Sequence, residues 1–521
     1  MVCNFDAALT FLSVRPPVRE QKMDTAKDYD VIVVGAGNAA FSAAVAAQQK
    51  GARVLVLEAA PEDEAGGNSR YTAGAIRFAF NGTDDVRVAC PDITDEEAKG
   101  ADFGTYTEDQ YFDDMFRVTQ YRADPDLVEV LVRNSLDTMK WLGETGIRFQ
   151  PSYGRQAFKL PDGRFQFWGG LCLEAWGGGP GLVDTWFKLA AKLGIDVWME
   201  ARALELLTDG FELKGVKVKR AGEIVDVSSR AVVLAAGGFQ SSPEMRTRYL
   251  GPGWDIAKVR GTRFNTGDGI KMALDIGAAT AGNWSGCHAV GWDMNAPEFG
   301  DLAVGDNFQK HSYPFGIMVN STGKRFVDEG ADFRNYTYAK YGAVILNQPG
   351  SFAWQVFDQK VLHLLRDEYR IKQMTKVTGN TLEELADKMD GVNKEGFLKE
   401  MREYNAAVNT DTPFGPTVLD GRRTNGLAVD KMNWANTIDE GPFEAYAVTC
   451  GVTFTFGGVR IDTDARVLST DYKPIPGLTA AGEMVGGLFY HNYPGGTGLM
   501  NGAVFGRRAG TSAAEHAVGN G

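Results

Sequence analysis

Cysteine and histidine are scarce in this sequence, with five of each in 521 residues. The cysteines are Cys3, Cys90, Cys172, Cys287 and Cys450, and none forms a C-x-x-C pair. That spacing argues against iron–sulfur clusters, c-type haem and structural zinc, so no metal site is expected. An odd, scattered set of thiols suits a reducing compartment, and a cytoplasmic location is expected. Basic residues are not in excess: 54 Lys and Arg stand against 67 Asp and Glu, a net charge of −13. Nucleic acid and anionic membrane are therefore not expected partners, because both bind basic surfaces. No apolar run reaches the roughly 18 residues that span a bilayer, so an integral membrane protein is not expected. Residues 1–27 lack a continuous apolar stretch, which argues against a secretory signal. They carry Pro16–Pro17 and mixed charge and read as a loose extension, and Asp6 opposes an organelle-targeting reading.

Glycine is what the chain has in quantity, 63 residues in all. Nine of them fall within residues 480–510, AAGEMVGGLFYHNYPGGTGLMNGAVFGRRAG, just ahead of and inside an apolar run that reads as a helix. Glycines before a helix let backbone N–H groups approach a ligand, and the helix N-terminus favours negative charge. A second glycine loop opens the chain. The run Tyr29 to Val34 reads as a buried strand, GAGNAAFSAAVAAQQKGA as turn plus helix, and RVLVLEA as a second strand ending at Glu58. This is a βαβ unit with a G-x-G-x-x-A fingerprint. Gly35 allows the tight turn, Gly37 lets a pyrophosphate approach, and small Ala40 allows close helix–strand contact, with Asn38 and Ala39 between them counted with the cofactor-binding loop. Glu58 stands 23 positions after Gly35, where it can bond an adenosine ribose. The two loops are over 450 residues apart and suggest one large cofactor held by both ends of the sequence.

Further turns follow predicted strands. Residues 65–78, AGGNSRYTAGAIRF, place Gly66, Gly67, Asn68, Ser69 and Gly74 where an NAD domain would continue with short βα units, so FAD is expected instead. AAGG at 235–238 contributes Ala236 and Gly237, and AGE at 481–483 contributes Gly482 and Glu483. Residues 106–145 read as helices broken at Pro125, and AVVLAAGGF (231–239) as a third buried strand. Residues 285–445 are rich in Asn, Trp, Phe and Tyr, with amphipathic helices at 381–410, and read as an inserted domain.

This constellation resembles the flavoprotein-subunit family of fumarate reductase and succinate dehydrogenase, which also includes 3-ketosteroid dehydrogenases, over about residues 28–515. The resemblance implies an α/β fold: a Rossmann-like FAD-binding domain, a parallel sheet flanked by helices, split by an inserted α+β capping domain. The expected division is an extension at 1–27, FAD domain at 28–284, cap at 285–445 and FAD domain again at 446–521. By resemblance, Glu58 is the ribose ligand, Asn68 and Ser69 lie beside the isoalloxazine, and Glu483 meets ribityl or ribose hydroxyls. Gly496, Thr497, Gly498 and Leu499 resemble the loop at the flavin pyrimidine, with the last helix dipole aimed at it. Some members attach FAD through a His beside the GGN-type loop. The histidines here are 288, 311, 363, 491 and 516, so noncovalent FAD is expected.

For catalysis the resemblance implies Arg334, in STGKRFVDEGADFRNYTYA (321–339), as the proton relay, with Asp328, Glu329 and Asp332 as its acidic neighbours. It implies His288 as a substrate-carboxylate ligand. Two departures stand out. Fumarate reductases carry a His pair before T-M-G-G, where this chain has Thr453 and Phe454. They carry N-R-L-G-G-N where this chain has Asn492-Tyr493-Pro494-Gly495-Gly496-Thr497. Tyr493 stands at the lost Arg position and His491 two residues before it, and both are counted with the catalytic set. Fumarate and succinate then become poor substrates. EMVGGLFYHNYPGGTGL with CGVTFTFGGV looks most like the tricarballylate dehydrogenase branch, to which the flavin part of one precorrin-3B synthase type also belongs. Arg260, Arg263, Arg422 and Arg423 are further candidates for carboxylate contacts. The expected activity is oxidation of a C–C bond beside a carboxylate or carbonyl to an alkene. Three alternatives are the reverse reduction of an activated alkene, a Δ1-type ketosteroid desaturase using Tyr490 and Tyr493, and a flavin electron-transfer subunit. The expected partners are a small carboxylate or ketone and a separate electron acceptor, whether oxygen, a quinone or a partner protein.

Overall fold

A computed structural model of the chain describes residues 29–519. The expectation for the 1–27 extension lies outside the described residues. The fold is the expected one, a Rossmann-like FAD-binding unit combined with a second α+β unit.

The framework is five parallel strands, in the spatial order Pro474–Ala480, Glu223–Leu234, Tyr29–Val34, Val54–Leu57, Asp196–Trp198. Val33 lies opposite Val233 on one side and Val56 on the other. These strands are almost continuously apolar because helices cover both faces of a parallel sheet. The third strand is longer than the buried run at 231–239 suggests. It begins at Glu223, and its exposed first half pairs antiparallel with Glu212–Arg220 before Ala231–Leu234 enters the core. The helical stretch 106–145 divides into Glu108–Val118, Pro125–Arg133 and Ser135–Thr145. Pro125 opens the second of these, where its missing N–H costs nothing, and the Asp124 carboxylate caps the backbone N–H of Asp126 at 3.1 Å.

The first helix, Asn38–Gln49, is alanine-rich and buried on nearly every side. One flank stacks Phe41 against Trp186 and Phe187 of the helix Gly178–Leu193. Another flank meets the C-terminal helix, Thr497–Val518. There Gly502, Gly506 and Gly510 recur every fourth residue and form one face. A Cβ on Gly506 would stand 2.4 Å from the Ala39 carbonyl oxygen, and one on Gly510 2.0 Å from that of Ala43. The two helices thus touch backbone to backbone.

The second unit is organised on a long strand, Phe443–Thr455. Its first half pairs with Ala353–Phe357 and Lys376–Gly379, its second half with Cys287–Asp293 and Lys258–Val259. The expected division at 445/446 falls inside this unbroken strand. Ile317, Trp354, Val356, Phe397 and Ala445 share a core of their own, whereas Ala289, Trp292, Val448 and Val452 belong to the core shared with the FAD domain. One strand therefore ties both cores together. Among the described residues, no helix is long and apolar enough to cross a membrane.

Replacing Gly506 by Val forces these two helices apart. It should destabilise the chain by about 2–3 kcal/mol, as overpacking of a filled interior does. Thermal unfolding of the cofactor-free chain, with Gly143→Ala, where a Cβ meets nothing within 4 Å, as control, reads the loss.

Candidate functional site

The helix contact sets the site. Asn38, the first residue of its helix, donates its side-chain amide to the Leu499 carbonyl at 2.9 Å. Its own side-chain oxygen accepts from the Trp186 indole at 3.0 Å, and its backbone N–H donates to Ser69 Oγ at 2.9 Å. One residue thereby fixes the opening loop, the Gly67–Ser69 turn and the start of the last helix to one another. Both helix N-termini, at Gly37 and Gly496, open on the same cleft of about 1770 Å³. The first turn of a helix leaves backbone N–H groups without intrahelical partners, and the dipole adds positive potential there.

The cleft is built like a cradle for an extended dinucleotide. Gly35, Gly237 and Gly482 all take positive φ, and a Cβ on Gly35 would stand 2.3 Å from the Ala235 carbonyl oxygen. Glu58 ends its strand facing this cleft. Its carboxylate accepts from the backbone of Ala60 at 2.9 Å, and burial raises its pKa. Glu483 lies further along. It accepts from the Thr455 N–H at 3.0 Å, Gln240 at 3.2 Å and Asn265 at 3.3 Å, and burial pushes its pKa to about 7. Two buried acids aimed into a polar cradle suit ribose and ribityl hydroxyls. The side-chain oxygen of Asn501 is also buried in the cleft wall without a partner among the described residues, a place for a donor of the cofactor. The residues present therefore fit FAD. Gly35, Gly37, Asn38, Ala39, Glu58, Gly67, Asn68, Ser69, Ala236, Gly237, Gly482, Glu483, Gly496, Gly498 and Leu499 all line the cleft. Three expected contacts stand behind it. Ala40 faces the core, Thr497 accepts from the Tyr111 hydroxyl at 3.2 Å, and a Cβ on Gly74 would stand 3.0 Å from Gly178. Their small size serves packing behind the loops.

At the far end of the cleft His288, Arg334 and Tyr493 come together. The His288 ring lies 4.8 Å from Tyr493, 4.9 Å from Tyr338 and 5.0 Å from Phe454, centre to centre. Neither imidazole nitrogen has a hydrogen-bond partner among the described residues, and burial, with Arg260 nearby, holds His288 well below its ordinary pKa, hence neutral. The Tyr338 and Tyr493 hydroxyls bond to each other, and burial raises both phenol pKa values. Arg334 is buried, with one donor on the Arg155 carbonyl at 2.9 Å, its guanidinium over the Trp168 ring, and Nε unpartnered. It forms no ion pair among the described residues. Burial, then repulsion from Arg366, lowers its pKa to about 9.

His491 does not join the site. The Asn492 side chain donates to the Tyr336 carbonyl at 2.6 Å, which turns Tyr493 inward and leaves His491 exposed beside Tyr490. The acids expected near Arg334 are engaged elsewhere. Glu329 pairs with Arg325 at 2.5 Å, Asp332 with Arg117 at 2.5 Å, and Asp328 accepts from the Met432 N–H at 3.1 Å. Of the extra arginines only Arg260 lines the cleft. Burial opposes its charge, but Asp306 overrides this and raises its pKa. Arg263 pairs with Glu64 at the surface, Arg422 bonds backbone carbonyls such as Ala435 at 2.9 Å, and Arg423 bonds the Thr424 carbonyl.

Sequence reasoning missed Arg155, His311, Tyr338 and Arg366, which all line the cleft, and Glu368, which pairs with Arg366 at 3.1 Å. It also missed Arg77, fully buried between Tyr106 and Tyr336. Arg77 donates to the Gly495 carbonyl at 2.7 Å and so supports the glycine loop. No local pattern marks these residues. They are gathered from separate segments by the second unit.

A split dinucleotide-binding domain, two helix N-termini on one cleft and a buried arginine at its end define a flavin-dependent oxidoreductase. Comparison with known proteins agrees. The family model described as "FAD binding domain" matches residues 30–499, and the chain belongs to this family, whose members include fumarate reductase flavoproteins. It is 31% identical to a probable fumarate reductase, Ifc3, of Shewanella frigidimarina, over 94% of this chain and 75% of that protein. It is 27% identical to a vinyl phenol reductase of Lactiplantibacillus plantarum, over 94% of this chain and 97% of that one. The open conformation of a flavocytochrome c3 fumarate reductase superposes with a TM-score of 0.70, at 28% identity, over 95% of this chain and 79% of that one. The protein is an FAD-dependent enzyme of C–C bond oxidoreduction.

Burial of Glu483 has a consequence for stability. Its folded pKa of about 7 exceeds the ordinary 4.5, so the folded chain holds the extra proton between these values. Stability falls with pH wherever the folded state binds more protons. The cofactor-free chain should lose stability from pH 5 to pH 8, and Glu483→Gln should flatten that slope. Unfolding midpoints of both chains across this window check it.

Proposed function

We propose that the protein reduces an activated carbon–carbon double bond conjugated to a carboxylate or carbonyl group, in a substrate with one charged and one apolar end. The observation that carries this is Arg334: buried, without an ion-pair partner among the described residues, and facing the cleft with an unpartnered Nε. We further propose that FAD is bound noncovalently, that residues 285–445 act as the cap over it, and that electrons come from a separate donor.

Bound FAD supplies hydride chemistry. The chain's residues supply the rest. Four guanidiniums, of Arg155, Arg260, Arg334 and Arg366, stand against two carboxylates, Asp306 and Glu368, so this end of the site attracts an anion. Arg260 and neutral His288 are placed to hold the substrate carboxylate and to stabilise the charge that develops on it as the double bond accepts hydride. The Arg334 guanidinium then gives its proton to the neighbouring carbon. The C=C bond becomes CH–CH, and one proton and one hydride are consumed. Arg334 recovers its proton from the side of Arg366 and Glu368, whose charges dominate its surroundings. Phe454, Phe489 and Tyr493 form an aromatic wall on the His288 side of the site. That wall suits an apolar group on the substrate beside its carboxylate. The reductase names of both relatives support the reducing direction. Oxidation in the manner of the tricarballylate dehydrogenase branch would use the same residues in reverse.

A general acid contributes about 10²–10⁴ in rate. Arg334→Gln should lower turnover by that factor, with FAD affinity unchanged. The assay is anaerobic reoxidation of the photoreduced enzyme by acrylate, cinnamate and fumarate, with cinnamate expected to act fastest. Failure of every such alkene, with bleaching of the oxidised enzyme by saturated acids, would sink the reductive reading. The hydroxyl pair of Tyr338 and Tyr493 favours one second reading, a ketone desaturase. In that case Tyr493→Phe should abolish flavin bleaching by saturated cyclic ketones, while Arg334→Gln spares it.

A further inference from the structure

A second chamber of about 920 Å³ lies on the other side of Arg334. It shares Arg155, His311, Arg334 and Arg366 with the flavin cleft, so the two spaces meet at these four side chains. Its walls are aromatic. Trp168 stacks on Phe333 at 5.5 Å, Phe333 packs on Trp434 at 5.7 Å, and Phe315 on Trp434 at 6.3 Å. Its rim reaches solvent at Gly154, His363 and Asp367, all exposed, whereas His311 and Arg334 at the inner end are buried. At that inner end three polar atoms have no hydrogen-bond partner among the described residues: Arg334 Nε, Arg366 Nη1 and His311 Nε2. Buried polar groups rarely stay unpaired, and those that do call for a missing partner. The two guanidinium donors call for an oxygen acceptor with negative charge.

The flavin cleft itself is lined along most of its length by the glycine loops and acids that fit FAD. Once FAD is held there, a substrate must reach Arg334 by another way. We propose that the aromatic chamber is that way: an entry vestibule that admits carboxylates with a flat apolar body and passes them over Arg366 and His311 to Arg334. The aromatic walls accept the apolar body, and the inner cations draw the carboxylate inward. The assignment of Arg334 to the reacting end rests on the reductive reading above, while the route does not depend on reaction direction.

The test uses the oxidised, FAD-loaded enzyme and needs no turnover. Stopped-flow perturbation of the flavin spectrum measures association of 3-phenylpropanoate and of its neutral amide, 3-phenylpropanamide. Ala157 and His363 line the chamber and not the flavin cleft. Ala157→Trp narrows the passage and should slow association and dissociation of both ligands together by about tenfold, leaving Kd within about twofold, since a passage alters rates and not end states. His363→Glu should slow the anion alone, by about tenfold at low salt, with the difference closing as salt rises. Association within about twofold of the parent in both variants overturns the vestibule, and so does a loss of affinity that matches the loss of rate. If no alkene is reduced yet these rates fall as stated, the reductive reading fails and the vestibule stands. If alkenes are reduced and the rates do not move, the vestibule alone fails.

Discussion

The contact between the first and last helices is the constraint on which this molecule depends. Gly502, Gly506 and Gly510 remove side chains from one face of the C-terminal helix, so the backbone of Asn38–Gln49 lies directly against it. The close approach has two effects. It covers the parallel sheet with a dense apolar layer, which stabilises the FAD domain. It also brings the helix N-termini at Gly37 and Gly496 to one cleft, where their dipoles add. A side chain at Gly506 or Gly510 would disturb packing and cofactor geometry at once, because both rest on the same few ångströms.

From that frame the second unit takes its position through one strand. Phe443–Thr455 belongs to the second unit's sheet at its start and reaches the cofactor cleft at its end, where Thr453 and Phe454 line the wall. The Thr453 carbonyl accepts from Asn68 at 2.5 Å, which links this strand to the turn that also carries Ser69. On the opposite side the Gly495 N–H donates to the Asn335 carbonyl at 2.9 Å. The Arg334 segment and the Tyr493 loop are thereby held together. Arg334 is buried without an ion pair among the described residues, and burying a charge is costly unless a ligand offsets it. That cost falls where the proposed anionic substrate reacts.

Much of the cofactor half was legible in the chain. The G-x-G-x-x-A turn between two apolar runs, the acid at Glu58 and the glycine run at 495–498 are local signals, since each depends on what the backbone must do at that position. Gly74 and Thr497 show the limit of the same reasoning. Gly74 packs against Gly178 and the Thr497 hydroxyl accepts from Tyr111, and motif position alone does not separate a residue beside a ligand from one behind it. Ala40 faces the core, as the close helix–strand contact of the fingerprint requires. His491 shows another limit. It lies in the right loop, but one side-chain bond from Asn492 decides which neighbour turns inward.

The sequence by itself determined the Rossmann-like fold and the FAD class of cofactor, and family resemblance singled out Arg334 and His288 as matches to the fumarate reductase pattern and Tyr493 as a departure from it. The fold and the cofactor follow from short-range rules: strand and helix periodicity, turn chemistry and motif spacing. Only the tertiary structure decided which charges surround Arg334. The acids near it in sequence are bound to Arg325, Arg117 and Met432, while Arg366 and Glu368, more than thirty residues away along the chain, set its environment. Electrostatic energy in a buried site depends on distance through space and on lost water. Neither quantity is written in the order of residues along the chain.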